Sequence, residues 1–234
     1  MQTKLNRSKQ RDYNDGFTII ELMIAITIFS LVLLVIMAAI TQIGKMYYKG
    51  VTAARTQNTT RQIVDRISQE IQFSDMAIEP RNVYSANQKV GVLCLGKTRF
   101  FYTLNKMHGV ESNYGVWVDD GSTGSITDPC AQSPNSVATL EGMQSQIPTN
   151  ALNGSEMLHE RARLLDLQIA KTGGSWTVKV RVATGEADMF ESVSPDGQLI
   201  AFNDRPELAV CKGSEVGTQF CSVSELTSTV TKRL

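Results

Sequence analysis

Proline is scarce and late in this chain. Only six occur in 234 residues and the first is Pro80, so no ring that breaks a helix stands in the first third. Histidine is scarcer, with His108 and His159 alone, which leaves few general bases near neutral pH. No GxSxG, HExxH, GxGxxG or Walker A pattern is present. The chain therefore reads as non-enzymatic and without a cofactor. A basic excess is also missing: Lys+Arg and Asp+Glu both total 23, for a formal net charge of zero. That balance argues against nucleic acid as the main partner, because binding it needs a surplus of cations to neutralise phosphates. Four cysteines without CxxC spacing, and two isolated histidines, disfavour a zinc site.

Charge is also absent from one long stretch. From Leu22 to Gly44, 23 consecutive residues carry none: LMIAITIFSLVLLVIMAAITQIG. As a helix they span about 35 Å, enough for a hydrocarbon core of roughly 30 Å. Lys4, Arg7, Lys9 and Arg11 precede the run, so the positive-inside rule keeps the N-terminus cytoplasmic and places the chain beyond about Lys45 outside. Tyr47 and Tyr48, flanked by Lys45 and Lys49, suit an anchor at the outer membrane–water boundary. No convincing signal-peptidase site follows the run, where Val51-Thr52-Ala53 is a weak match. The unusual junction precedes it, in Gly16-Phe17-Thr18-Ile19-Ile20-Glu21-Leu22. Glu21 puts a carboxylate at the mouth of the apolar run, and that run supplies it no partner.

GFTIIEL, with its basic leader and the apolar stretch behind, resembles the class III signal of type IV pilins and pseudopilins. The resemblance implies that prepilin peptidase cuts between Gly16 and Phe17 and methylates the new N-terminus at Phe17. It implies that Glu21 meets the N-terminal amine of a neighbouring pilin or pseudopilin subunit, so that its cation comes from another molecule. It further implies a single-pass inner-membrane protein with a periplasmic or extracellular head, able to enter a pilus. The specific likeness covers about residues 12–45. Many major pilins carry a proline within the apolar segment, and this chain does not. That departure, the 218 residues left from Phe17, and the likeness of RQIVDRISQEIQ to J-type subunits point to a minor pilin or a J-type minor pseudopilin. The rival is a non-polymerising single-pass protein with an external binding domain, to which a carboxylate at Glu21 brings nothing.

The expected fold class is α+β. A prepilin leader (1–16) precedes an assembly helix (17–44), an amphipathic helix (45–78) and a β-rich head (79–234). One helix from about Phe17 to Phe73 is expected, since Ile63, Ile67 and Ile71 recur every four residues with Val64 beside them. That stripe needs a partner, most simply a sheet of the same chain. Candidate strands are Lys89–Leu95, Thr98–Leu104 and Tyr114–Asp119, with Leu199–Phe202 after the Pro195-Asp196-Gly197 turn. The clearest pair is Arg163–Ala170 and Ser175–Ala183 around Gly173-Gly174. There Leu165, Leu167 and Ile169 alternate with Asp166 and Gln168, which predicts a hairpin with one buried and one wet face. Residues 121–153 read as a long surface excursion.

All four cysteines fall on the outer side, where disulfides persist. Three pairings are open, with free buried thiols as the alternative; Cys211–Cys221 closes a short polar loop and is favoured, leaving Cys94–Cys130. Asp119, Asp120 and Asp128 offer oxygen ligands in DDGSTGSITD, but without EF-hand spacing, and a solvated loop is the preferred reading.

Overall fold

The computed structural model describes residues 16–73, 79–85, 88–95, 98–112, 115–119, 154–213 and 217–233. One helix, α1 (Ile19–Phe73), and a mainly antiparallel sheet domain make an α+β layout. The chain divides into two compact units, residues 1–45 and 46–234. Within the first, α1 is strongly apolar and exposed at every position but Gly44: Ile20, Leu31, Leu34 and Val35 are each more than 60% accessible. It is long and apolar enough to cross a membrane.

The second unit is built on the rest of α1, where sequence periodicity becomes packing. Ile63, Val64, Ile67 and Ile71 are at most 1% exposed and join one core with Leu93, Phe100, Val116, Leu164, Val178, Val180 and Val182. The partner of the stripe is thus a sheet of the same chain. Each fully buried aliphatic contributes roughly 1.5–3 kcal/mol.

The main sheet contains β1 (Glu79–Ser85), β2 (Gln88–Leu95), β3 (Thr98–Leu104), β4 (Val116–Asp119), β5 (Ser155–Glu156), β6 (Ala162–Thr172), β7 (Ser175–Thr184) and a later strand, β11 (Ser222–Thr231). Its order is β1-β2-β3-β6-β7-β11, with β4 and β5 branching from β3. All pairings are antiparallel except β3 with β6, which meet in parallel at Leu104 and Leu164. Gly91 stands opposite Tyr102 because a Cβ there would run into the tyrosine ring. A second sheet of β8 (Phe190–Val193), β9 (Leu199–Ile200) and β10 (Ala209–Cys211) has the order β10-β8-β9.

The β6–β7 hairpin departs from the expected face assignment. A bulge at Leu165 shifts the register between Leu164 and Asp166. Leu167 and Ile169 pack toward α1, whereas Leu165 turns to the other face and packs with Phe190, Phe202, Ala209 and Cys221. That other face is therefore not wet near the start of β6, because the small sheet and its flanking turns cover it. Leu199–Phe202 is also shorter than expected: only Leu199 and Ile200 pair, while Phe202 is buried in the turn that follows. Helix α1 begins at Ile19 rather than Phe17, since Thr18 serves as its cap.

Replacing Ile67 by Ala in the centre of the stripe should cost about 2–5 kcal/mol in chemical denaturation of the head. The exposed Gln57→Ala is the control and should stay within about 0.5 kcal/mol.

Candidate functional site

Gly16 and Phe17 precede the helix in irregular, exposed backbone. Phe17 is 90% accessible and, among the described residues, nothing lies within 4 Å of a Cβ built on Gly16. Thr18 and Glu21 then form a reciprocal cap. The Glu21 N–H donates to Thr18 Oγ1 at 3.3 Å. Glu21 Oε2 accepts from the Thr18 N–H at 2.9 Å and from its hydroxyl at 2.8 Å. This is a capping box, in which residues three apart satisfy each other's donors at a helix start.

The box amends the expectation for Glu21. Its carboxylate has a partner inside the chain, supplied from ahead of the apolar run rather than by it. The T-x-x-E pattern before an apolar run is the sequence signal for this cap. Both bonds use Oε2; Oε1 has no hydrogen-bond partner among the described residues.

In the head, Cys211 and Cys221 form a disulfide with a Cα–Cα distance of 5.8 Å. Cys94, on β2, is also disulfide-bonded, while Cys130 lies outside the described residues. So do Asp120 and Asp128; of the aspartates weighed for calcium only the backbone of Asp119, at the end of β4, is described. Among the described residues no group of three His, Cys, Asp or Glu side chains is placed to hold a metal ion.

His159 is not isolated in space. Its Nδ1 lies 3.0 Å from Thr59 Oγ1 of α1, and its Nε2 lies 3.1 Å from Thr184 Oγ1 at the end of β7. Thr184 Oγ1 is in turn 2.8 Å from Thr56 Oγ1, whose hydroxyl donates to the Thr52 carbonyl at 2.9 Å. Each hydroxyl owns one proton, which sets the direction of the chain. Thr56 has spent its proton on Thr52, so Thr184 donates to Thr56 and must accept from His159 Nε2–H. In the neutral ring that leaves Nδ1 to accept from the Thr59 hydroxyl. The neutral Nε2–H tautomer satisfies every link. Burial, with help from the charges of Arg55 and His108, lowers the His159 pKa from its ordinary value. No single motif signals this arrangement, because its members come from three separate segments.

Arg163 is the other polar group that pattern reading missed. Its side chain is 1% exposed. The guanidinium sits 5.8 and 5.4 Å from the ring centroids of Phe190 and Phe202, which stack on each other at 5.0 Å. Nη1 reaches Glu111 at 3.6 Å and Asn105 Oδ1 at 3.4 Å. Burial lowers its pKa, opposed by the charges of Glu111 and Glu186. Two aromatic faces and an offset carboxylate thus hold a cation away from water.

Comparison with known proteins bears on the N-terminal segment alone. A family profile described as the prokaryotic N-terminal methylation motif matches residues 11–37. No curated protein and no solved structure matches the chain. The match supports a class III prepilin signal of the type IV pilin kind, and with the apolar helix it suggests a membrane-anchored, structural protein. A motif of this kind implies processing by prepilin peptidase and assembly with other pilin subunits.

Two outcomes are expected. Thr18→Val removes the cap hydroxyl and should speed amide exchange over Ile19–Leu22 several-fold, equivalent to about 1 kcal/mol, while Thr18→Ser leaves it near wild type. His159 has its pKa depressed by folding, so the unfolded chain takes up the proton more readily. Its contribution is complete above its unfolded pKa of about 6.5 and is lost as pH falls through the folded value. The unfolding midpoint should therefore drop between pH 7.5 and 5.5, and His159→Gln should flatten that drop in parallel denaturation curves.

Proposed function

We propose that this chain is a minor type IV pilin that inserts in the inner membrane, is cut by prepilin peptidase between Gly16 and Phe17, and joins or primes a pilus. One observation carries the reading: an exposed Gly16-Phe17 junction and Glu21 stand directly ahead of a 23-residue uncharged stretch of helix whose large apolar side chains are exposed among the described residues. Cleavage frees an amine at Phe17, the site of methylation. Glu21 Oε1 is open to such an amine from a neighbouring subunit, and between packed apolar helices the attraction acts in a low dielectric. The head is extracytoplasmic in this reading, which suits its disulfide.

A second reading is a minor pseudopilin of a type II secretion system. It is favoured by RQIVDRISQEIQ at residues 61–72, the stretch of α1 that bears the buried stripe and is similar to J-type subunits. The two share one N-terminal chemistry and differ in the filament entered.

Intact-mass measurement on protein recovered from its native membrane should show loss of residues 1–16 and a methylated Phe17. A retained leader, or cleavage near Ala53, would sink the assignment. Glu21→Ala should leave insertion and cleavage intact while crosslinking to partner pilins, or recovery in sheared filaments, falls sharply. Wild-type incorporation of the processed variant would remove Glu21 from assembly.

A further inference from the structure

Three aromatic rings of the second unit form a continuous, exposed row. The Tyr47 and Tyr48 centroids lie 5.9 Å apart, and those of Tyr48 and Phe220 5.6 Å apart. The three side chains are 67%, 53% and 45% accessible. We propose that Phe220 is a second membrane contact, which enters the headgroup layer beside the two tyrosines and seats the head on the lipid surface. The inference rests on the membrane-anchored reading above and adds a contact made by the folded head.

The position of the tyrosines sets the depth. They follow Gly44, where the uncharged run ends, by three and four positions, about 6 Å of helix. The interfacial layer outside the hydrocarbon core is roughly 5–7 Å deep. Tyr47 and Tyr48 therefore fall within it, at the level where amphipathic rings are enriched. Phe220 arrives from the far end of the sequence, yet its ring stands against Tyr48. What surrounds the one surrounds the other.

The turn that carries Phe220 is firmly held. The Phe220 N–H donates to the Gly217 carbonyl at 2.9 Å, and the Cys221 N–H to the Thr218 carbonyl at 3.1 Å. Gly217 opens the turn at φ +102°, a conformation that favours glycine. Cys221, the next residue, is bonded to Cys211 of β10. A turn fixed at both ends keeps the ring out beside Tyr48 instead of letting it fold back onto the head.

Lipid fits the row better than a protein partner. Phe73, Val110 and Leu199 are also exposed, but single apolar side chains on a surface are ordinary. Phe220 differs because it extends an aromatic pair at the edge of an apolar span, so its surroundings are continuous with that span. Three rings of roughly 150–250 Å² each, about half exposed, offer well under the roughly 800 Å² per partner of a specific protein interface. The contact is apolar and needs no anionic lipid. In the neighbouring cleft Arg55 and Arg161 are matched by Glu160 and Glu186.

The test uses the full chain in phosphatidylcholine vesicles. Wild type has two tryptophans, Trp117 and Trp176, and Phe220→Trp adds a third at the proposed contact. The lipid chains are brominated either near the headgroup or near the chain end. The added emission should be quenched at least about twofold more by the shallow bromine than by the deep. Phe73→Trp places an even more exposed ring 25 positions beyond Tyr48, about 37 Å along α1, and should add no quenching. No excess quenching at position 220, or equal quenching at position 73, would overturn the contact. Emission at position 220 that shifts on diluting the protein in lipid, without bromine quenching, would give Phe220 to a second copy of the chain instead. The unaltered chain provides a check that no misfolded variant can spoil. Phosphatidylcholine with a photoactivatable group near its headgroup should label the peptide holding Phe220 as well as Tyr47 and Tyr48. Label on the tyrosines without label on Phe220 defeats this inference alone. A chain that takes no label and does not fractionate with membranes defeats the anchored reading first.

Discussion

Burial of Ile63, Val64, Ile67 and Ile71 against one face of the main sheet is the interaction on which the head depends. It assigns the inward face of β3, β4, β6 and β7 and leaves their other face to be covered by something else. It also divides α1 by solvent requirement. The stripe has a partner in its own chain, whereas the 23 uncharged residues before it expose apolar side chains all round. In water such a surface would aggregate, so the first half of the helix needs lipid or other helices.

Toward the start of the head the stripe changes chemistry without changing phase. Thr52, Thr56 and Thr60 continue the four-residue spacing back from Val64, with Thr59 beside them. Thr56, Thr59 and Thr60 are buried like the aliphatics. Thr60 satisfies its hydroxyl on the Thr56 carbonyl, and Thr56 and Thr59 reach the sheet through Thr184 and His159. Where aliphatic packing gives out, a directed run of hydroxyls takes over as the link between helix and sheet.

Much of this was legible in the residues, and the remainder was hidden for identifiable reasons. The helix, its stripe, the β6–β7 hairpin and the N-terminal motif rest on strong periodicity or on a dense local pattern. Strand β11 was missed because SVSELTSTVT alternates hydroxyls with few large apolar groups. Strands β8 and β10 run four and three residues, too short to show a period. Strand β1 holds Pro80, which reads as a breaker although Pro80 takes its place opposite Leu93. Glu21 stands out in the sequence by its charge, whereas its local partner Thr18 is marked only by the three-residue spacing of a cap. Alternation extended straight through Leu165 puts Arg163 on the helix-facing side with Leu167 and Ile169, whereas the bulge turns it to the opposite face.

That last error leads back to the bulge. Side chains on a strand alternate strictly, so an extra residue acts as a change of phase for everything on one side of it. From Asp166 onward the phase is set by Leu167 and Ile169, which face the helix. Running the same phase backward would point Arg163 and Leu165 at the helix and turn Ala162 and Leu164 away. The inserted position inverts this: Ala162 and Leu164 join the aliphatic core, and the guanidinium emerges beside Phe190 and Phe202. One unpaired residue thus decides which of two cores receives a permanent positive charge. It sends that charge to the core built of aromatic faces, the one able to hold it.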